Sequence, residues 1–105
     1  ENELKAYKKY ILKLNNSANF LNSYAWRMSE LNINLQDALK KIDQALLLIE
    51  SSESRYANIL DTKAEVLWKM GNHDKAILII DKAIYLDSES QYYKAQKEKF
   101  VNSNN

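Results

Sequence analysis

The feature that most constrains this chain is a pair of alanines that occurs twice. Ala38 and Ala45 recur as Ala76 and Ala83, each displaced by 38 positions. The segments around them match, DALKKIDQALLL at 37–48 and DKAILIIDKAIYL at 74–86, and both place an Ile-Asp dipeptide between the alanines, Ile42-Asp43 and Ile80-Asp81. From Ile59 to Asp87 the pattern is that of two amphipathic helices joined by a tight turn at Gly71-Asn72. An internal repeat of this length, made of two helices, buries its apolar faces by stacking on its neighbours.

Composition narrows the alternatives. At 105 residues the chain is one domain. It has no proline and one glycine, so it lacks the turn chemistry that hairpin-rich β folds use repeatedly. Leu, Ala, Lys, Glu, Gln and Ile are plentiful and favour helix. A net charge of +1, with acids and bases interspersed, argues against a nucleic-acid partner held by phosphate neutralisation. Without cysteine there is no disulfide and no thiolate zinc site. No apolar run reaches membrane-spanning length, so membrane insertion is not expected. Beginning at Glu1, the chain reads as a piece of something longer.

Taken in order, the sequence predicts six antiparallel helices. The first, over 3–14, places Leu4, Tyr7, Ile11 and Leu14 on one side. Ser17 offers an N-cap oxygen for a second helix that ends near Leu31 and buries Phe20 or Leu21, Tyr24, Ala25, Met28 and Leu31. Asn34 is the expected cap of a third, 35 to about 50, with Asp37 in its first turn and Ala38, Leu39, Ile42, Ala45, Leu46, Leu48 and Ile49 inward. Ser51–Ser54 is a polar loop. A fourth helix presents Ile59 or Leu60, Ala64, Leu67 and Met70. Gly71 ends it in the left-handed conformation, and Asn72 caps the fifth, whose inward face is Ala76, Ile77, Ile80, Ala83, Ile84 and Leu86. Ser88 with Gln91 is the expected capping box of a last helix, about 89–101, with Tyr92 or Tyr93, Gln96 and Phe100 inward and a frayed polar tail at 102–105. The domain therefore divides into an N-terminal flanking helix (1–16), repeat one (17–50), repeat two (54–87) and a C-terminal capping helix (88–101).

These residues resemble the tetratricopeptide repeat, a helix-turn-helix of about 34 residues. The family places one small residue in the first helix of each unit and two in the second, seven apart. Ala25 and Ala64 match the first place; Ala38 with Ala45 and Ala76 with Ala83 match the other two. Leu21 and Leu60 match the large residue near the start of the first helix. The turn Met70-Gly71-Asn72-His73-Asp74-Lys75-Ala76 is similar to the family's turn, with His73 in the aromatic place. Departures are an extra residue in the turn Asn32–Asn34, about four extra residues near Ser51–Ser54, and Ser88 where the family has proline. The N-terminal helix carries Glu3 and Tyr10 in the alanine places. The resemblance covers roughly 18–88 and implies an all-α fold, an α-α superhelix or solenoid. The segments Leu21–Trp26 and Ile59–Ala64 also resemble repeats appended to larger bacterial proteins, some of them of the thioredoxin family.

The resemblance further implies a concave groove lined by the first helix of each unit. Onto it fall Asn19, Asn22, Trp26, Ser29 and Glu30 from unit one, and Asn58, Asp61, Glu65, Trp68 and Lys69 from unit two. Tryptophan supplies large contact area and one donor, and asparagine amides can hold a peptide backbone. Each tryptophan admits a second placement, as ordinary core between helices. The family's known carboxylate clamp does not carry over, because Asn22 stands in the place of its first lysine and Trp26 in that of its first asparagine. No catalytic signature, cofactor motif or metal-ligand set is present: His73 has no converging partner in the sequence, and the carboxylates of Asp61 and Glu65, one turn apart, make a poor ion site by themselves. The lysines of the two terminal helices are interrupted by acids and amides and read as solubilising faces. Two functions stand side by side. One is a non-catalytic module binding a protein or peptide in the groove. The other is a structural appendage or dimerisation domain of a larger protein, self-associating through terminal helices.

Overall fold

A computed structural model of the chain describes Glu3, Lys5 and residues 17–103. Among these it is all-helical, with five helices: α1 (Ala18–Leu31), α2 (Leu35–Leu47), α3 (Ser54–Lys69), α4 (His73–Leu86) and α5 (Gln91–Ser103). The helix expected over 3–14 lies outside the described residues, apart from Glu3 and Lys5, which are helical. The Arg27 guanidinium donates to the Glu3 carboxylate, so that residue sits against α1.

Each helix packs on the next, and α1 also packs on α3. The alanines explain how. Ala25, Ala38, Ala45, Ala64, Ala76 and Ala83 are all fully buried, and a methyl group at each crossing lets two helix backbones come close. The larger residues on the same stripes, Leu21, Met28, Ile42, Val66 and Ile80, fill the remaining space. Helix α3 is the centre. Ile59 and Val66 belong to the core shared with α1 and α2, whereas Ala57, Leu60, Ala64 and Leu67 belong to the core shared with α4 and α5. Leu39 and Leu46 of α2 pack against both.

Some positions 38 apart in the sequence make equivalent contacts. Asp43 and Asp81, of the two Ile-Asp dipeptides, each receive a lysine from the following helix: Lys63 Nζ at 2.8 Å and Lys97 Nζ at 2.9 Å. Helix α5 thus meets α4 as α3 meets α2. Both hairpin turns close the same way. Ile33 N–H donates to Met28 O at 3.1 Å and Asn72 N–H to Leu67 O at 2.9 Å, around a left-handed residue that is Asn32 (φ 57°) in the first hairpin and Gly71 (φ 87°) in the second. The extra residue of the first turn is Asn34, also left-handed at φ 52°. Tyr24, buried, ties this hairpin together by donating its hydroxyl to Asp37 Oδ2 at 2.5 Å; burial and the Asp37 carboxylate push that hydroxyl up to about 12.

Several local expectations are corrected. Ser17 caps α1, its Oγ accepting from Phe20 N–H at 3.2 Å, but neither Asn34 nor Asn72 makes a side-chain cap bond. The Asn34 amide instead donates to the Tyr24 hydroxyl at 3.4 Å. At α5 the cap is Ser90, accepting from Tyr93 N–H at 3.2 Å, not Ser88; a turn closed by Ser90 N–H on Asp87 O moves the start of the helix to Gln91. Leu31, Leu48, Met70 and Leu86, expected inward, are all partly exposed, each standing at or next to the end of its helix. Helix α2 ends at Leu47, Ser54 joins α3, and α5 continues to Ser103.

Two substitutions test this packing. Gly71→Ala adds a Cβ that would touch nothing within 4 Å, so its cost is backbone strain alone. It should lower unfolding free energy by about 1–2 kcal/mol, with Gly71→Asn closer to neutral, since Asn32 already occupies the equivalent place. Ala83→Leu, by contrast, inserts volume into a closed crossing and should cost about 1–3 kcal/mol or more. Urea denaturation of the three variants measures both; an unperturbed Ala83→Leu would show that the helices do not depend on close approach there.

Candidate functional site

Of the ten residues expected along one groove, Ser29 is fully buried with its hydroxyl donating to the Trp26 carbonyl and Glu30 pairs with Arg27; the other eight fall into four places. Asn22 and Trp26 of α1 and Asn58 and Asp61 of α3 come together. With Ser23, Thr62 and Tyr92 they line a hollow of about 290 Å³, to which α1, α3 and α5 all contribute. Asn22 Nδ2 donates to Asn58 Oδ1 at 2.9 Å, linking α1 to α3. Asn22 Oδ1 is buried and accepts no hydrogen bond. Thr62 Oγ1 donates to the Asn58 carbonyl at 3.4 Å, and the wall of the hollow is thereby fixed from its own helix. Trp26 is half-buried and Tyr92 half-exposed.

Asp61 and Glu65 lie deeper. Each is almost fully buried, and α5 covers both. Gln96, itself buried, donates Nε2 to Asp61 Oδ1 and to Glu65 Oε1, both at 3.0 Å. Lys99 Nζ adds a bond to Glu65 Oε1 at 2.9 Å. Burial pushes the Asp61 carboxyl up to about 6; the Gln96 hydrogen bond pulls against this, Glu65 reinforces it, and Lys99 opposes it. Tyr92 is raised to about 12, first by burial and then by the charges of Asp61 and Glu65.

Trp68 and Lys69 are elsewhere, in a second hollow of about 230 Å³ with Asn32, His73 and Ser103. The Trp68 indole donates to Ser103 Oγ at 2.6 Å and stacks obliquely on Phe100, with ring centres 5.7 Å apart. Lys99 Nζ sits 4.4 Å from the centre of its ring, and the His73 ring centre is 6.4 Å from it. Trp68 is thus clasped by α5. Asn19 stands apart, exposed, its Oδ1 accepting from Arg55 Nη1 at 3.0 Å.

Mapping onto the repeat found Asn22, Trp26, Asn58 and Asp61 but missed Ser23, Thr62 and the third wall, Tyr92; the pair Tyr92-Tyr93 was ambiguous, and Tyr93 is the one that enters the core. A larger hollow, about 430 Å³ and mostly apolar, opens between α2, α3 and α4 around Leu46, Tyr56, Leu60, Ile79 and Tyr85. It contains none of the eight residues; of its charged members Lys63, Asp81 and Lys82, the first two are paired with Asp43 and Lys97. Among the described residues no three His, Asp or Glu side chains converge on a metal position, and no helix is long and apolar enough to cross a membrane. No protein-family model, curated protein or solved structure matches the chain.

The Asp61 carboxyl makes stability depend on pH in a defined direction. Its folded value, about 6, lies above the ordinary 3.8, so the folded state favours the protonated form. That stabilising contribution is complete below pH 4 and disappears as pH rises through about 6. Asp61→Asn keeps an acceptor for Gln96 without the buried charge. It should match the parent protein in acid and exceed it at neutral pH by roughly 1–3 kcal/mol. Thermal melts at the two pH values decide this; a destabilised Asp61→Asn at neutral pH would mean that the charge is needed where it lies.

Proposed function

We propose that this chain is a non-catalytic protein-interaction module, built of two tetratricopeptide-like hairpins with α5 in the place of a third unit's first helix. It takes an extended peptide along the face shared by α1, α3 and α5. The observation that carries the reading is the composition of the first hollow: three alternate helices each present side chains to one depression, and the face combines an aromatic anchor with amides suited to a peptide backbone. The pairing of Asn22 with Asn58 holds those amides in place before any ligand arrives, which lowers the ordering cost of binding. Trp26 is the anchor in this reading, while Trp68 serves to hold α5.

A second reading, a structural appendage or dimerisation domain of a larger protein, draws on a different observation. Leu47 and Tyr85 occupy equivalent repeat positions at the ends of α2 and α4, and each is 87% exposed; Leu78 on α4 is 64% exposed. Apolar side chains so placed suit a partner domain or a second copy.

The two tryptophans separate by substitution. Trp68→Ala should lower stability by roughly 2–3 kcal/mol, somewhat below the cost of a fully buried ring. Trp26→Ala should keep most of the stability and weaken, by about tenfold or more, peptides selected on the parent protein from a random display library. If selected peptides bind Trp26→Ala undiminished, the site lies elsewhere. If selection yields none, while light scattering shows a dimer dispersed by Tyr85→Lys, the second reading replaces the first.

A further inference from the structure

We infer that the hollow between α1, α3 and α5 selects a cationic side chain, lysine or arginine, from the bound peptide; this rests on the peptide-binding reading above. The hollow is unbalanced in charge. Its lining contains one carboxylate, Asp61, and no base. Two of its donors are already committed, Asn22 Nδ2 to Asn58 and the Thr62 hydroxyl to the Asn58 carbonyl. Two acceptors stand out. Asn22 Oδ1 is buried without a donor, and the carboxylate of Asp61 is met by a neutral amide, that of Gln96. Of the α5 lysines, Lys99 is engaged with Glu65, and Lys97 is drawn to Asp81 on α4. A guest that brings several N–H donors and a positive charge completes this set, whereas a carboxylate would face Asp61 directly. Trp26 and Tyr92 supply ring faces from α1 and α5, which attract a cation and pack its aliphatic stem.

The chain itself displays the chemistry one helical turn away. There an acid and a tryptophan of α3, Glu65 and Trp68, receive a lysine of α5: Lys99 Nζ is 2.9 Å from the Glu65 carboxylate and 4.4 Å from the centre of the Trp68 ring. The hollow presents the same two elements, an α3 acid and neighbouring aromatic rings, without a lysine. An external lysine or arginine at Asp61 would stand in the relation that Lys99 has to Glu65. It would also compensate a carboxylate that burial now disfavours.

The test uses blocked alanine pentapeptides with lysine, arginine, glutamine or glutamate at the centre, titrated into the full chain and followed by NMR at the Trp26 indole and the Asn22 and Asn58 side-chain amides. Lysine and arginine peptides should bind about tenfold or more tighter than the glutamine peptide at neutral pH, and the glutamate peptide weakest. Asp61→Asn, whose spectrum must remain that of a folded protein, should reduce the lysine preference to parity with glutamine. The preference should also fade in acid, as Asp61 takes up its proton. If all four peptides bind equally at Trp26, the cation inference falls and the peptide reading stands. A lysine preference that survives Asp61→Asn, or shifts confined to other surfaces, overturns the inference. If no peptide perturbs these signals, while peptides selected from the display library do, the inference falls alone; if those also fail, the reading beneath it falls too.

Discussion

The structure depends on how closely its helices approach, and six alanines set that distance. Ala25 and Ala64 in the first helices, with Ala38, Ala45, Ala76 and Ala83 in the second, all have no exposed surface. A methyl contributes little transfer free energy by itself. Its value is geometric, since it brings the bulky neighbours Leu21, Ile42, Val66 and Ile80 into contact across the crossing, where dispersion and burial accumulate. The consequence reaches the surface. With α1 and α3 held side by side, Asn22 and Asn58 come within hydrogen-bonding distance, and the hollow takes its shape from that spacing.

The joint between α3 and α5 follows another rule. The alanine of α5, Ala95, is exposed, so this helix has no small residue to bring its backbone against α3. Long side chains fill the gap instead: Gln96 and Lys99 reach the carboxylates of Asp61 and Glu65, and Phe100 and Ser103 reach Trp68. Such a seam exchanges apolar contact for hydrogen bonds. Its net stabilisation per bond is small, and its requirement that every buried polar group find a partner is strict. Gln96 meets that requirement by dividing its amide between two acids.

Much of this was legible in the sequence, for a definite reason. Alanines at a fixed period, an Ile-Asp dipeptide repeated between them and a glycine at a hairpin turn are local signals, and each occupies the structural place that its chemistry suggests. The group Asn22, Trp26, Asn58 and Asp61 was legible as two pairs, each about one turn apart on its own helix, which the packing of α1 on α3 brings together. The ends of the helices were less so. Ser88 and Ser90 are equally good caps as residues, and the choice between them is made by the turn at Asp87; Leu31, Leu48, Met70 and Leu86 continue the apolar stripe although they stand at helix ends and stay partly exposed. Trp26 and Trp68 differ because α5 lies over one and not the other. That distinction is tertiary, and nothing within either helix announces it.

Helix α5 therefore has two consequences from a single placement. By covering Glu65 and Trp68 it closes half of the face that the repeat pattern would otherwise leave open, and by presenting Tyr92 it supplies a wall to the half that stays open. The division falls between Asp61 and Glu65, which are one turn apart and share the Gln96 amide. Glu65 gains a lysine from α5 and Asp61 does not, although both are buried to a similar degree. Two carboxylates in nearly the same surroundings thus differ in their hydrogen-bond partners by the length and position of one side chain, Lys99. The charge balance of the open hollow is a property of where α5 docks rather than of the residues that line it.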